Sequence, residues 1–285
     1  MKTHFTALLP LSFALFAISC SEEPLAQAPL TPQQMYERAA RLLKPATELE
    51  SPDYAGAFAL LTQAADAGYL PAILDLAGVY LEGSRDGAVK KDRQKALQLY
   101  SLAAERGSAD AQYYCGFILM QDKKTDAAIP YLHQAAQAGV PEAQYRLGRI
   151  LLQQSNPDAL PLLRMAATSK RASVVAVAAY TMGTIFQDGK LGQEASMPQA
   201  IEWYQRSAEA GDARAQHLIG LMYLVGGDLS QDEKKGEALL RLAAGQDYIP
   251  AIDALIRYLF EKDADAYADE IRAWADLLKK LQNKQ

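Results

Sequence analysis

The stretch SAEAGDARAQHLIGLMYLVG, residues 207–226, carries alanine or glycine at Ala208, Ala210, Gly211, Ala213, Ala215, Gly220 and Gly226. A helix that only buries one face against a core accommodates larger side chains than these. The same spacing returns in QAADAGYLPAILDLAGVYLEG (63–83), LAAERGSADAQYYCGFILM (102–120) and QAAQAGVPEAQYRLGRILL (134–152), and in degraded form at 165–189 and 242–260. In the clear copies an Ala-Ala pair, Ser-Ala in one, precedes a glycine; an alanine follows four residues later and a small residue five beyond that. This last series runs Ala77, Gly116, Gly148, Gly183, Gly220 and Ile256, at intervals of 39, 32, 35, 37 and 36 residues. Self-similarity at such a period is the mark of a solenoid.

Steric arguments account for each small residue. Gly68, Gly107, Gly139 and Gly211 fall where a helix ends and the chain turns left-handed, a conformation that penalises a Cβ. Asp247 holds the same place near the end of the chain. Glycine inside the second helix costs about 1 kcal/mol relative to alanine, so helix propensity does not explain it. Close approach of two helix backbones does. The first helix of each repeat has its own small series: Ala57, Ala96, Ala128, Ala159, Ala200 and Gly236. Asp53 and Asp92 stand as N-caps. Pro130 and Pro161 fall in equivalent positions, expected in or near the first turn, where proline is tolerated. Tyr100, Trp203 and Tyr204 are expected to fill the space between repeats. Capping segments flank the array. LTPQQMYERAARLL (30–43) opens with a capping box at Thr31, and residues 263–282 place Tyr267, Ile271, Trp274, Leu278 and Leu281 on one stripe. The expected fold is all-α, an α/α superhelical solenoid of about six helix pairs over residues 31–282, with repeats at 53–260 and a capping helix at each end.

The pattern Ala-Ala-x-x-Gly-x-x-x-Ala-Gln-x-x-Leu-Gly, most complete in AAQAGVPEAQYRLG (135–148), resembles the Sel-one-like repeats (SLR), relatives of the tetratricopeptide repeat. That resemblance implies antiparallel helix pairs and a role in protein–protein adaptation. The segment from Lys170 to Val174 departs from the pattern with a four-residue insertion in place of the turn glycine. That junction and the one at Asp247 are expected to bend irregularly.

The opening MKTHFTALLPLSFALFAISC has a lysine, an apolar run too short for a comfortable membrane span, and small residues before Cys20. It resembles a bacterial lipoprotein signal with Ala17-Ile18-Ser19-Cys20 as lipobox, although leucine is commoner at the first of those positions. Cleavage after residue 19 leaves Cys20 as the lipidated terminus, residues 20–30 as a tether, and a formal charge moved from −5 to −6 by the loss of Lys2. Ser21 is not the aspartate associated with inner-membrane retention, so the resemblance implies the periplasmic face of the outer membrane. An ordinary secretory signal, giving a soluble periplasmic protein, is the alternative. An acidic chain without a lysine-arginine cluster argues against nucleic acid and against electrostatic docking on anionic lipid; the lipid on Cys20 is then the one membrane contact expected.

Cys115 occupies an apolar slot held elsewhere by Leu76, Leu147, Met182, Ile219 and Leu255, which reads as a buried thiol. His133 and His217 are more than two repeats apart, and no HExxH, paired Cys-x-x-Cys, GxSxG or phosphate loop occurs. The expectation is a non-enzymatic chain with no cofactor and no metal. A superhelix offers a concave surface instead. Asp75, Tyr114, Arg146, Thr181, Leu218 and Ala254 hold the position that changes from copy to copy within the fixed apolar frame. Tyr113, Tyr114 and Arg146 are the preferred partner-binding residues, because tyrosine and arginine dominate interface hot spots; Asp75 and His217 join them as candidates. The resemblance implies a periplasmic protein partner. It is either a secreted effector enzyme of the type VI phospholipase class, neutralised by this chain as an immunity protein, or a subunit of an envelope or polysaccharide-export complex for which the chain is an assembly adaptor.

Overall fold

The computed structural model describes residues 29–44 and 51–283. The proposed signal, Cys20 and most of the tether lie outside the described residues. Among the described residues there are fourteen α-helices and no strand. A leading helix, α1 (Pro32–Leu42), is followed by six pairs. These are α2 (Tyr54–Asp66) with α3 (Leu70–Glu82), α4 (Arg93–Glu105) with α5 (Ala109–Gln121), and α6 (Thr125–Gln137) with α7 (Pro141–Gln153). Then come α8 (Ala159–Ala167) with α9 (Ala172–Asp188), α10 (Met197–Glu209) with α11 (Ala213–Val225), and α12 (Glu233–Ala244) with α13 (Ile249–Asp263). A closing helix, α14 (Ala268–Gln282), covers the end. Each helix packs chiefly on its neighbours in chain order, so the core is a chain of clusters and not one nucleus. The fold is the expected all-α solenoid.

The Ala-Ala-x-x-Gly signature has a hydrogen-bonding reason as well as a steric one. Gly68 N–H donates to Ala65 O at 2.8 Å and Tyr69 N–H to Ala64 O at 3.0 Å, the two bonds of a Schellman cap. The alanine pair thus supplies both acceptor carbonyls, and the glycine supplies the left-handed residue, with φ +83° at Gly68, +84° at Gly107, +88° at Gly139 and +96° at Gly211. Asp247 adopts φ +60° and keeps the same two bonds, to Ala244 and from Tyr248 to Ala243, so the departure in sequence leaves the turn intact. The glutamine of the Ala-Gln dipeptide closes the motif. Buried Gln144 donates from Nε2 to Ala136 O at 3.2 Å, and Gln216 to Ala208 O at 3.1 Å.

Close approach explains the helix-interior glycines. A Cβ on Gly116 lies 2.6 Å from Leu132 Cγ, one on Gly148 lies 2.8 Å from Leu163 Cγ, and one on Gly183 lies 2.5 Å from the Tyr204 ring. Leu132, Leu163 and Tyr204 are fully buried, so none can swing aside. Tyr100 and Tyr204 fill the inter-repeat space as expected, and the small series from Ala57 to Ala200 is buried throughout. His217 also packs between repeats, edge-on to Tyr248 with centroids 5.6 Å apart.

Local expectations divide. The capping box at Thr31 forms, with Gln34 N–H donating to its Oγ1 at 3.2 Å and Thr31 N–H to Gln34 Oε1 at 2.9 Å. Asp53 and Asp92 accept from Gly56 and Lys95 N–H at 2.8 and 3.0 Å. Pro161 lies in the first turn of α8, but Pro130 is inside α6, because that helix already starts at Thr125. The closing helix begins at Ala268 and not at 263, since α13 continues to Asp263, whose Oδ1 then accepts from Ala266 N–H at 2.9 Å and turns the chain. The junction at 170–174 departs from the glycine turns, as expected: none of residues 168–171 has a positive φ, and neither Lys170 N–H to Ala167 O nor Arg171 N–H to Ala166 O forms. The inserted residues become additional helix at the start of α9, whose 17 residues compare with 13 in α7, and four residues are about one turn.

Two measurements test this frame. Gly116→Ala gains about 1 kcal/mol of helix propensity yet suffers overpacking of about 1–3 kcal/mol against Leu132, so its melting temperature falls. Gly139→Ala, whose Cβ meets nothing, loses about 1–2 kcal/mol through its left-handed φ alone. A Gly116→Ala variant as stable as the parent in urea unfolding removes close approach as the reason for the glycine. Burial raises the Cys115 thiol to about 11, despite an opposing contact with Ser101 Oγ at 3.7 Å. The native chain carrying Cys20→Ser therefore resists thiol reagents at pH 8 until denatured, whereas immediate labelling shows an accessible Cys115.

Candidate functional site

The second helices of successive pairs stand side by side and present matching positions to one face. At the N-terminal end this face, closed by α1 and α2, forms a groove of about 1070 Å³. Asp75 reaches it from α3, Tyr113 and Tyr114 from α5, and Arg146 from α7. Four of the five residues proposed from the sequence thus line one groove. His217 is apart from them on α11, against Tyr248, and burial lowers its pKa, which favours the neutral ring.

Each groove residue is held by its surroundings. Tyr36 on α1 donates its hydroxyl to Asp75 Oδ2 at 2.9 Å, tying the capping helix to the first repeat. Burial raises the Tyr36 pKa first, and the bond to Asp75 adds to it. Tyr114 stacks on Tyr100 with centroids 4.7 Å apart and planes 14° from parallel. Tyr100 is 3% exposed and Tyr114 is 36% exposed, so one ring is floor and the other is surface. Arg146 donates from Nε to Tyr113 Oη at 3.2 Å, and its guanidinium lies 4.7 Å from the Phe117 centroid and 5.7 Å from that of Tyr113. Such contacts contribute about 0.5–1 kcal/mol each where exposed. Further along, Glu142 on α7 pairs with Arg171 at 2.5 Å, which raises the arginine pKa further. The second oxygen of Glu142 is buried with no hydrogen-bond partner.

The groove therefore has an aromatic floor, carboxylates on α3, α5 and α7, and two arginines, Arg146 and Arg171, held by contacts within the chain. Among the described residues no group of three or more His, Cys, Asp and Glu is arranged to hold a metal ion, and no helix is long and apolar enough to cross a membrane. Chemically it is suited to seating aromatic, aliphatic and charged side chains of another chain. Sequence reasoning missed Tyr36, Tyr100, Phe117, Glu82, Glu142 and Arg171 as groove residues. A register signal existed for one of them: Glu142 stands where Asp110 stands one repeat earlier, and both line the groove. Tyr36 and Arg171 come from the cap and the insertion, where no period applies.

The Sel1 repeat model matches residues 48–69, 70–108, 109–140, 141–159, 176–212 and 213–248. It passes over 160–175, where α8 and the lengthened start of α9 lie. Among solved structures, a Sel1 repeat protein from Oxalobacter formigenes is 25% identical with a TM-score of 0.69, covering 87% of this chain and 72% of that one. A protective antigen of uropathogenic Escherichia coli displaying an SLR fold is 20% identical with a TM-score of 0.49, over 87% of this chain and 61% of that one. An immunity protein from Pseudomonas aeruginosa is 23% identical with a TM-score of 0.46, over 78% of this chain and 86% of that one. Comparison with curated proteins gives no match. Six matched repeats over more than half the sequence, laid out as stacked helix pairs, show that the chain belongs to the Sel1 repeat family, a protein-binding fold that is generally non-enzymatic.

Proposed function

We propose that this chain is an outer-membrane lipoprotein that binds a protein partner in its N-terminal groove, and that the partner is a secreted effector enzyme which it neutralises. The observation that carries the binding site is the convergence of Asp75, Tyr113, Tyr114 and Arg146, from three successive repeats, on one groove of about 1070 Å³. Variable side chains on an invariant frame, gathered on a concave face, are how repeat proteins read a partner. The inhibitory role extends the sequence resemblance to SLR lipoproteins that act as immunity partners: a partner seated across so long a groove has part of its own surface covered. Anchorage through Cys20 places the groove in the periplasm, where an incoming enzyme is met before it reaches its substrate.

A photoreactive residue at Leu43, which lines the groove and is 44% exposed, tests the site against one at Leu102, which is 38% exposed on α4 outside it. In envelope preparations the expected result is one partner cross-linked from position 43 and not from 102. Its identification as a toxic enzyme supports neutralisation, and a stable envelope-complex subunit replaces that role with assembly. Cross-linking from 102 alone moves the site off the groove. Arg146→Ala weakens the complex about tenfold or more and also loses about 1–2 kcal/mol of stability through its contacts with Tyr113 and Phe117, and Tyr114→Ala loses about 0.5–1.5 kcal/mol through its stack on Tyr100. Cys20→Ser is expected to release the protein to the soluble periplasmic fraction, and persistence in the membrane fraction removes the lipid anchor.

A further inference from the structure

The fold covers many of its tyrosines with its own cations. Arg146 lies over Tyr113 and Phe117, Arg214 over Tyr180 at 4.0 Å, Lys235 over Tyr223 at 5.5 Å and Lys262 over Tyr258 at 5.3 Å. Tyr114 differs. It is the groove's exposed ring, and among the described residues no lysine or arginine of this chain lies over it.

What surrounds the Tyr100–Tyr114 stack is negative. Asp75, Glu82 and Asp110 line the groove beside it, and none of the three enters an ion pair among the described residues. Burial raises the Tyr114 pKa, and after it the neighbouring charges that act in the same direction are Asp110, Glu82 and Glu142. At Tyr100 they are Glu82 and Asp75. The groove's arginines offset this field only in part, the charge of Arg171 also reaching Asp110 and Tyr114. Arg171 is committed to Glu142 and Arg146 to Tyr113, while Lys44 and Arg85 sit exposed at the groove's edge. An electron-rich ring face beside several free carboxylates attracts a cation twice over, through the ring quadrupole and through charge. The carboxylates are too dispersed to form a metal cluster. An organic cation on a long aliphatic stem fits better, because its methylenes lie along the aromatic floor while its head group meets the acids.

We infer that the bound protein anchors itself here through a lysine or arginine side chain, its head group over the open part of Tyr114 and among the carboxylates of Asp75, Glu82 and Asp110. This rests on the groove reading above and adds the chemistry of the partner's anchor: a basic side chain on the segment that enters the groove.

The test is selection of a phage-displayed random peptide library on the mature chain, residues 20–285, scoring peptides that cross-link to a photoreactive residue at Leu43. The inference expects these peptides to share a lysine or arginine at one position. Its replacement by glutamine weakens binding about tenfold or more, and the combined Asp75→Asn, Glu82→Gln, Asp110→Asn protein shows the same loss while keeping its helical circular dichroism. All three carboxylates are exposed, so these replacements leave the core untouched. Peptides that cross-link at 43 but carry no shared basic residue, or bind the neutralised protein equally well, overturn the basic anchor and leave the groove standing. Selection that returns no peptide cross-linking at 43 overturns both.

Discussion

The distance between neighbouring helix backbones is the constraint on which the rest of this molecule depends. Where a glycine of one helix faces a leucine or tyrosine of the next, as Gly116 faces Leu132 and Gly183 faces Tyr204, a single methyl group has no space. That spacing lets helix pairs nest without bulky side chains between them, and it makes each repeat dependent on its neighbour. Burial follows the seam. The slot occupied by Leu76, Cys115, Leu147, Met182, Ile219 and Leu255 is closed in every repeat, so the positions just before it are set at nearly constant offsets on the open face. Asp75, Tyr114 and Arg146 share a groove because their buried neighbours share a lattice.

Features governed by a short-range rule were legible in the sequence. A left-handed residue after an alanine pair is specified within six residues, so Gly68, Gly107, Gly139 and Gly211 were readable, and even Asp247 kept the turn. The interior glycines were readable through their period. The purpose of Gln144 and Gln216 was not, although the Ala-Gln dipeptide marked the repeat, because their bonds run back across the turn to a carbonyl that only the folded hairpin brings near. The prolines were placed by analogy between repeats, and the analogy failed at Pro130 because α6 begins earlier relative to its proline than α8 does.

The candidate site was legible in part for the same reason. Periodicity ranks positions on one face of one helix, and it selected Asp75, Tyr113, Tyr114 and Arg146. It cannot say which end of the superhelix gathers them, nor that His217, at the register of Tyr113, spends its ring against Tyr248 of the following repeat. It is also blind to the stack of Tyr114 on Tyr100, which joins residues of two helices whose alignments were read separately. That stack changes the meaning of Tyr114: Tyr100 lies along one face and Tyr113 is tilted against the ring at 5.2 Å, so only its 36% exposed part faces the groove.

The places where repetition breaks help to shape the groove. An uninterrupted array would continue the same face from repeat to repeat, with nothing to distinguish one stretch from another. Here α1 closes one end through the Tyr36–Asp75 bond. At the other end, the four extra residues become a turn of helix that starts α9 early and sets Arg171 where it reaches back 29 positions to Glu142. A glycine turn in that place, as in the neighbouring repeats, supplies no such cation. The insertion that spoils the alignment therefore fixes a carboxylate at the groove's far margin and brings a cation whose charge also reaches Asp110 and Tyr114. Departures from the period are tolerated because each repeat is stabilised locally, and local stability lets a solenoid vary its surface without losing its fold.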